Sequence, residues 1–357
     1  MNKVLASELF IFGFDGLSLS HDLKKYLATT PVGGLILFKR NIESLEQIIQ
    51  LNTEITNAHA THVPLISVDQ EGGRVARLKN IATEIPPLAT LREAFLSDPN
   101  LAYRLGALMG RELVALGFHL NFAPVCDVAV GQNSGDIIGD RAFSHDAEEA
   151  ALLVGKYIEG MQGAGLAGSA KHFPGHGATC IDSHFFLPRV NTSQEIFEKR
   201  ELVPFRAAIR SGVATIMTAH IIAMSYDTKV PATLSNKIIS QLLRRDLNFN
   251  NVVISDDLDM KAVADHYDLK EILEQALRAS VDMFIIGNNF PKTLEAIALL
   301  QELIDNNSDL AALAFAARER INRLRARFIG KPLAPDIAQA RLIVKSTPHL
   351  ELLNSCR

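Results

Sequence analysis

The chain has 357 residues, 48% apolar and 21% charged, with a net charge of −4. That balance supports a sizeable buried core and excludes intrinsic disorder. The net charge gives no electrostatic basis for nucleic acid or an anionic membrane surface as partner. Tryptophan is absent and aromatics make up only 6%, which disfavours an open, aromatic-floored groove for long polysaccharides. The three cysteines, Cys126, Cys180 and Cys356, form no CxxC and no even framework, so a reducing compartment is expected.

The first residues, MNKVLASELFIFGFDG, carry a short apolar run with Glu8 inside it. This reads as a first strand rather than a signal peptide. No window offers about 20 uninterrupted apolar residues, so a soluble, cytoplasmic protein is expected. Short apolar runs then recur at Leu9–Phe14, Gly34–Phe38, Pro64–Val68, Phe118–Val125, Ala167–Phe173, Val213–Ala219, Val252–Ser255 and Met283–Ile286. Helical patterns lie between and after them, at Ser44–Ala60, Asn100–Leu116, Ala147–Gly163, Gln194–Ser211, Ser235–Leu247, Lys270–Ala279, Pro291–Ile304 and Leu310–Ile329. Ser193, Ser235 and Asn289 stand at or near N-cap positions. Arg318, Arg320, Arg323, Arg325 and Arg327 share helical spacing and are read as a solvated face.

Eight strand–helix units imply parallel pairing with right-handed crossovers. In a chain of this size they predict a closed (β/α)8 TIM-type barrel. An open doubly wound sheet is the second architecture, but the first βα turn lacks GxGxxG. No Pro- or Ser-rich linker divides the chain. One domain is expected, with the barrel over residues 1–330 and a C-terminal helical extension over 331–357 packed outside it.

The ionisable residues fall at strand ends. Asp69 closes the third run, Asp127 the fourth, Lys171 and His172 the fifth, His220 the sixth and Asp256 the seventh. In a barrel the C-terminal ends converge on the face where active sites are built. Within ISDDLDM, strand alternation lets one of Asp256 and Asp257 aim into the mouth. The other, or Asp259, would cap the next helix. A carboxylate so placed suits nucleophilic attack on an oxocarbenium-like centre. The Gly-rich stretch 171–188 reads as a loop over that face. In it Asp182 and His184 are close enough in sequence to pair, giving an imidazole whose pKa is raised and which can act as general acid and base. His172, His176, Asp182 and His184 are also zinc ligands by type, but the spacing is poor and Lys171 would set a cation beside the metal. Gly72-Gly73 reads equally as a tight turn or as close backbone approach to a ligand. Arg77 and Arg141 read as surface ion pairs or as donors to sugar hydroxyls.

The segments GGLILFKRNI, SVDQEGGRVARL, NFAPVCDV, IGDRAF, KHFPGHGATCIDSH, MTAHI, PATLS and VVISDDLDM, from about residue 33 to residue 290, resemble glycoside hydrolase family 3. More narrowly, they resemble its single-domain cytoplasmic β-N-acetylhexosaminidases of peptidoglycan recycling, for which KHFPGHG with the downstream DSH is specific. The resemblance implies a retaining mechanism. It places the nucleophile on Asp256, the acid/base on His184 paired with Asp182, and sugar binding on Asp69, Arg77, Arg141, Lys171 and His172. It implies a terminal β-1,4-linked N-acetylglucosamine on anhydro-muropeptides as substrate, no cofactor or metal, and a monomer working on a small carbohydrate. Two positions depart from the family pattern: Asn251 stands where Gly is usual, and Ala142 lies inside the RAF triplet. Phosphorolysis of the same bond is the nearest alternative, since a neutral histidine would not repel phosphate. A zinc-dependent barrel hydrolase is a more distant one.

Overall fold

A computed structural model describes residues 4–130, 137–179, 186–330 and 335–356. Eight parallel strands close into a barrel: β1 (Phe10–Phe12), β2 (Gly34–Leu37), β3 (Leu65–Val68), β4 (Leu120–Asn121), β5 (Ala167–Phe173), β6 (Thr215–Thr218), β7 (Val252–Asp257) and β8 (Met283–Ile286). Their spatial order follows the chain, and β1 closes on β8 in the register Phe10–Phe284, Ile11–Ile285 and Phe12–Ile286. Each strand falls within or over one of the expected apolar runs. Both faces of a barrel strand are covered, which is why these strands read as continuous apolar runs rather than alternating ones. The rings of Phe10 and Phe284 are fully buried with centroids 5.4 Å apart. Burying one such ring contributes about 1.5–3 kcal/mol.

The outer ring comprises α1 (His21–Thr29), α2 (Leu45–Asn57), α3 (Asn100–Ala115), α4 (Ala147–Gly163), α5 (Leu202–Arg210), α6 (Leu269–Arg278), α7 (Phe290–Asn306) and α8 (Ser308–Phe328). Phe197–Glu201 and Lys237–Asp246 are wound as π-helix. Ser193 and Asn289 are N-caps, accepting from the amides of Ile196 and Lys292. Ser235 accepts from the Ile238 amide, one residue before the nominal cap. The left-handed residue before β7 is Asn248 (φ 55°).

At the N-terminal ends of the strands, the arginine row is a solvated face only in part: Arg323 and Arg327 are exposed, while Arg320 and Arg325 turn inward. Asp282 is fully buried and accepts from the Val253 amide, Arg244 and Arg320. Arg325 is buried and donates to the carbonyls of Val32 and Gly33. The row meets open carbonyls and a buried carboxylate at the barrel floor, so part of it points inward. Two further helices, α9 (Ile337–Ile343) and α10 (Thr347–Asn354), pack on the outside. Buried Glu112 of α3 ties them down, accepting from the Lys345 amide at 2.9 Å and His349 Nδ1 at 2.8 Å. Among the described residues no helix is long and apolar enough to cross a membrane.

Candidate active site

At the opposite, C-terminal face lies a cavity of about 400 Å³, toward the small end of ligand pockets. Asp69, Arg77, Arg141, Lys171, His172 and Asp256 all line it, so the structure brings together six of the eight residues to which the resemblance gives roles, while Asp127 and His220, also expected at converging strand ends, do not line it. Asp182 and His184 lie outside the described residues, as does Cys180. Ile36, Phe38, Met217 and Ile285 supply apolar lining.

One wall is built from a hairpin after β3. Asn121 of β4 exchanges two hydrogen bonds with the main chain of Gln70: its Oδ1 accepts from Gln70 N at 2.9 Å and its amide donates to Gln70 O at 2.8 Å. The Gln70 side chain accepts from the amides of Arg77 and Leu78 on the returning strand. With Gln70 fixed outward, the alternation of an extended chain turns Asp69 and Glu71 toward the cavity. Gly72 and Gly73 both have positive φ (108° and 55°). A Cβ on Gly73 would meet Pro87 at 2.8 Å, and neither glycine lines the cavity. The pair serves the turn, not ligand approach.

Glu71 organises this wall. Arg141 grips it through two 2.8 Å hydrogen bonds, and Lys171 Nζ lies 2.6 Å from it and 2.7 Å from Asp69. Burial alone would raise the Glu71 pKa, but the charges of Arg141 and Lys171 outweigh it and hold the carboxyl well below the usual range. The same carboxylates keep Lys171 and Arg141 protonated against burial. Two anions and two cations thus balance in a nearly solvent-free wall. Arg141 is therefore not the surface ion pair that the sequence also allowed. Arg77 Nε, by contrast, has no hydrogen-bond partner among the described residues.

Asp127 is buried at the base of the loop after β5. It accepts from His172 Nδ1 at 2.7 Å and from the His176 amide at 2.7 Å. Burial would raise its pKa, and the two histidines more than offset that, so it is ionised. With Nδ1 donating to Asp127, His172 keeps Nε2 as its remaining polar ring atom. Burial pushes His176 down to about 4, and its Nδ1 meets the Thr179 hydroxyl. Among the described residues no three His, Cys, Asp or Glu side chains are grouped to hold a metal.

The facing wall is the end of β7. Both Asp256 and Asp257 line the cavity, contrary to the strict alternation expected for adjacent strand residues. The pairing of β7 with β8 shifts register between Ile254 and Asp257, and such a bulge turns successive side chains toward one side. Asp256 Oδ1 accepts from the Asp257 amide at 2.8 Å. Asp257 Oδ1 accepts from the amides of Asp259 and Gly287. A Cβ on Gly287 would lie 2.6 Å from the other Asp257 oxygen, so only glycine leaves room for that contact. Asp259 pairs with Lys292 at 2.6 Å. Neither carboxylate caps the short helix Lys261–Ala264, whose N-cap Met260 makes no side-chain bond. Burial raises the Asp257 pKa to about 6, with the neighbouring Asp259 and Asp256 charges adding to the effect.

A barrel whose C-terminal face gathers a strand-end aspartate and a Lys-His pair around one sugar-sized cavity suits a glycosidase, and the wider comparison agrees. The chain matches the N-terminal domain of glycosyl hydrolase family 3 over residues 5–324. The chain belongs to glycosyl hydrolase family 3. It is 38% identical over 313 residues to a β-hexosaminidase of Tolumonas auensis, spanning 85% of this chain and 92% of that protein. The solved family 3 β-N-acetylglucosaminidase from a Paenibacillus species superposes with a TM-score of 0.89 at 33% identity, covering 100% of this chain and 68% of that one. Native NagZ from Neisseria gonorrhoeae gives a TM-score of 0.80 at 29% identity, over 98% and 96% of the two chains. This protein is therefore a glycoside hydrolase.

Three features of the site were not assigned from sequence: the central role of Glu71, the Asp127–His172 pair and the inward turn of Asp257. The signal for Glu71 was present. It lies two residues from Asp69 in DQEGG, the spacing that puts two side chains on one face of an extended hairpin strand.

Proposed function

We propose that the protein is a retaining β-N-acetylglucosaminidase that removes a terminal β-1,4-linked N-acetylglucosamine from anhydro-muropeptides during peptidoglycan recycling. The observation that carries this is Asp256: its carboxylate, oriented by the Asp257 amide, lines the same small cavity as Asp69, Arg77, Arg141, Lys171 and His172. The names of the relatives support the N-acetylglucosaminide as substrate. Asp256 attacks the anomeric carbon, the glycosidic carbon–oxygen bond breaks, and the departing oxygen takes a proton from His184, which Asp182 holds as imidazolium. Water then gives its proton to neutral His184 and displaces the sugar from Asp256. The balanced wall of Asp69, Glu71, Arg141 and Lys171 holds sugar hydroxyls in fixed positions, and Arg77 offers an unused donor. No cofactor enters these steps. The reading extends to a monomer in the cytoplasm; the free, buried Cys126 supports the reducing compartment.

The test is product analysis with N-acetylglucosaminyl-anhydromuramyl peptide, with and without phosphate. Free N-acetylglucosamine and the anhydromuramyl peptide are expected in both buffers. N-acetylglucosamine 1-phosphate as the main product would replace hydrolysis by phosphorolysis. An intact anhydro-muropeptide, with small N-acetylglucosaminides still cleaved, would remove the recycling assignment. For the acid, His184→Ala should slow substrates with poor leaving groups most; equal losses on activated and unactivated substrates would reject it.

A further inference from the structure

We infer that His220 is a positioning residue that fixes the end of β7, and with it the attacking carboxylate; the inference rests on the reading of Asp256 as nucleophile. His220 follows β6 and is fully buried. Its imidazole spans the gap between neighbouring strands. Nε2 lies 3.0 Å from the main-chain carbonyl oxygen of Asp257, and Nδ1 lies 2.8 Å from the Thr233 hydroxyl. A carbonyl only accepts, so Nε2 carries the hydrogen of that contact. The Thr233 oxygen is in turn 2.8 Å from the Thr218 hydroxyl and 3.1 Å from the Ala219 carbonyl. One edge of the ring is therefore anchored to β6 and its continuation, and the other grips β7.

What it grips is the residue that aims the carboxylate. The Asp257 amide is the hydrogen-bond donor to Asp256 Oδ1, and the Asp257 carbonyl is the acceptor for His220. The ordinary ladder does not do this work. The register of β7 with β6 ends at Ile254–Met217, two residues before Asp256. On the other side the pairing with β8 slips between Ile254 and Asp257. β7 rejoins β8 only at Asp257–Ile285, where the Leu258 amide donates to the Ile285 carbonyl, so Asp256 falls between the paired positions and the β6 side of Asp257 has no strand pairing. The His220–Asp257 bond supplies a side-chain tie in that gap. Misplacement of a reacting group by about 1 Å can cost on the order of 10²-fold in rate, whereas sugar binding by the opposite wall would be untouched.

The experiment compares wild type, His220→Ala, His220→Gln and Thr233→Val. Each is treated with a 5-fluoro N-acetylglucosaminyl fluoride, which forms the covalent glycosyl-enzyme faster than it is released. The labelling rate is measured, the labelled residue is located by peptide mass spectrometry, and N-acetylglucosamine affinity is measured by calorimetry. His220→Ala should label about 10²-fold more slowly with N-acetylglucosamine affinity unchanged. His220→Gln should recover most of the rate, because its amide can donate to the same carbonyl, and Thr233→Val should fall between. Wild-type labelling rates in His220→Ala, equal rates in the Gln and Ala variants, or a parallel loss of sugar affinity would overturn the inference. If His220→Ala does not fold, Thr233→Val decides: slowed labelling with intact affinity supports the tie, and an unchanged rate rejects it. A wild-type label on a residue other than Asp256 would instead remove the nucleophile assignment, whatever the variants do.

Discussion

The two walls of the cavity are built on opposite electrostatic plans. On the β3–β5 side, Asp69, Glu71, Arg141 and Lys171 neutralise one another, and Asp127 is matched to His172. Each of these six groups faces a partner of opposite sign, and the pKa values of Glu71 and Asp127 fall. On the β7 side, Asp256, Asp257 and Asp259 lie close together, and Asp259 pairs with Lys292 at the rim. There burial and like charge push Asp257 upward. A paired wall is rigid and suits holding a substrate. A wall of crowded carboxylates stores unfavourable free energy, which attack on a developing cation relieves. Stability and chemistry should therefore separate by wall.

The strongest way to break that division is at the nucleophile. Asp256→Ala should lower turnover of a chromogenic N-acetylglucosaminide by on the order of 10⁴-fold or more. Its melting temperature should change little, because the paired wall opposite is untouched. Turnover near that of wild type would reject the assignment, and a large drop in melting temperature would reject the contrast between the walls.

On the paired wall the expectation reverses. Lys171→Met leaves Asp69 and Glu71 without a shared cation, and breaking a buried pair from one side costs about 3–5 kcal/mol. Denaturant unfolding should show that loss together with weaker sugar affinity. A variant that loses activity at full stability would mean the wall is less coupled than its distances indicate.

This contrast was only half legible in the sequence. The eight strands could be read because strands covered on both faces are unbroken apolar runs, as in VVIS and MFII. The site's location followed from ionisable residues at the ends of those runs. Three things did not follow. α1 was missed because its nine residues bury only Leu23 and Leu27, too few for a helical period to show. The inward turn of Asp257 depends on a slip in pairing with β8, a long-range event that strand alternation in a single segment does not record. The arginine row of α8 was misread because the carbonyls of Val32 and Gly33 and the buried Asp282 that receive it come from distant parts of the chain. The family resemblance supplied the roles of Asp256 and Arg141; the partner that makes Arg141 part of the site, Glu71, came from the geometry.

The finest test of the contrast is pH, since the walls should respond with opposite sign. Glu71 and Asp127 have folded pKa values below their unfolded ones. Their contribution is present above the unfolded values, near 4, and is lost as pH falls through the folded values. Asp257 is the reverse. Its folded pKa, raised to about 6 from 3.8, means that the folded state binds its proton more tightly than the unfolded chain does. Its contribution is complete below 3.8 and disappears as pH rises through about 6. Asp257→Asn keeps an oxygen for the amides of Asp259 and Gly287 but carries no charge. Its stability relative to wild type should thus increase between pH 4 and pH 7 by on the order of 1–3 kcal/mol and stay level above that. Calorimetric melting of both proteins across this range measures the difference directly. A difference that does not change with pH would mean that Asp257 is not held protonated by its surroundings, and the crowding ascribed to the β7 wall would then have to lie in Asp256 alone.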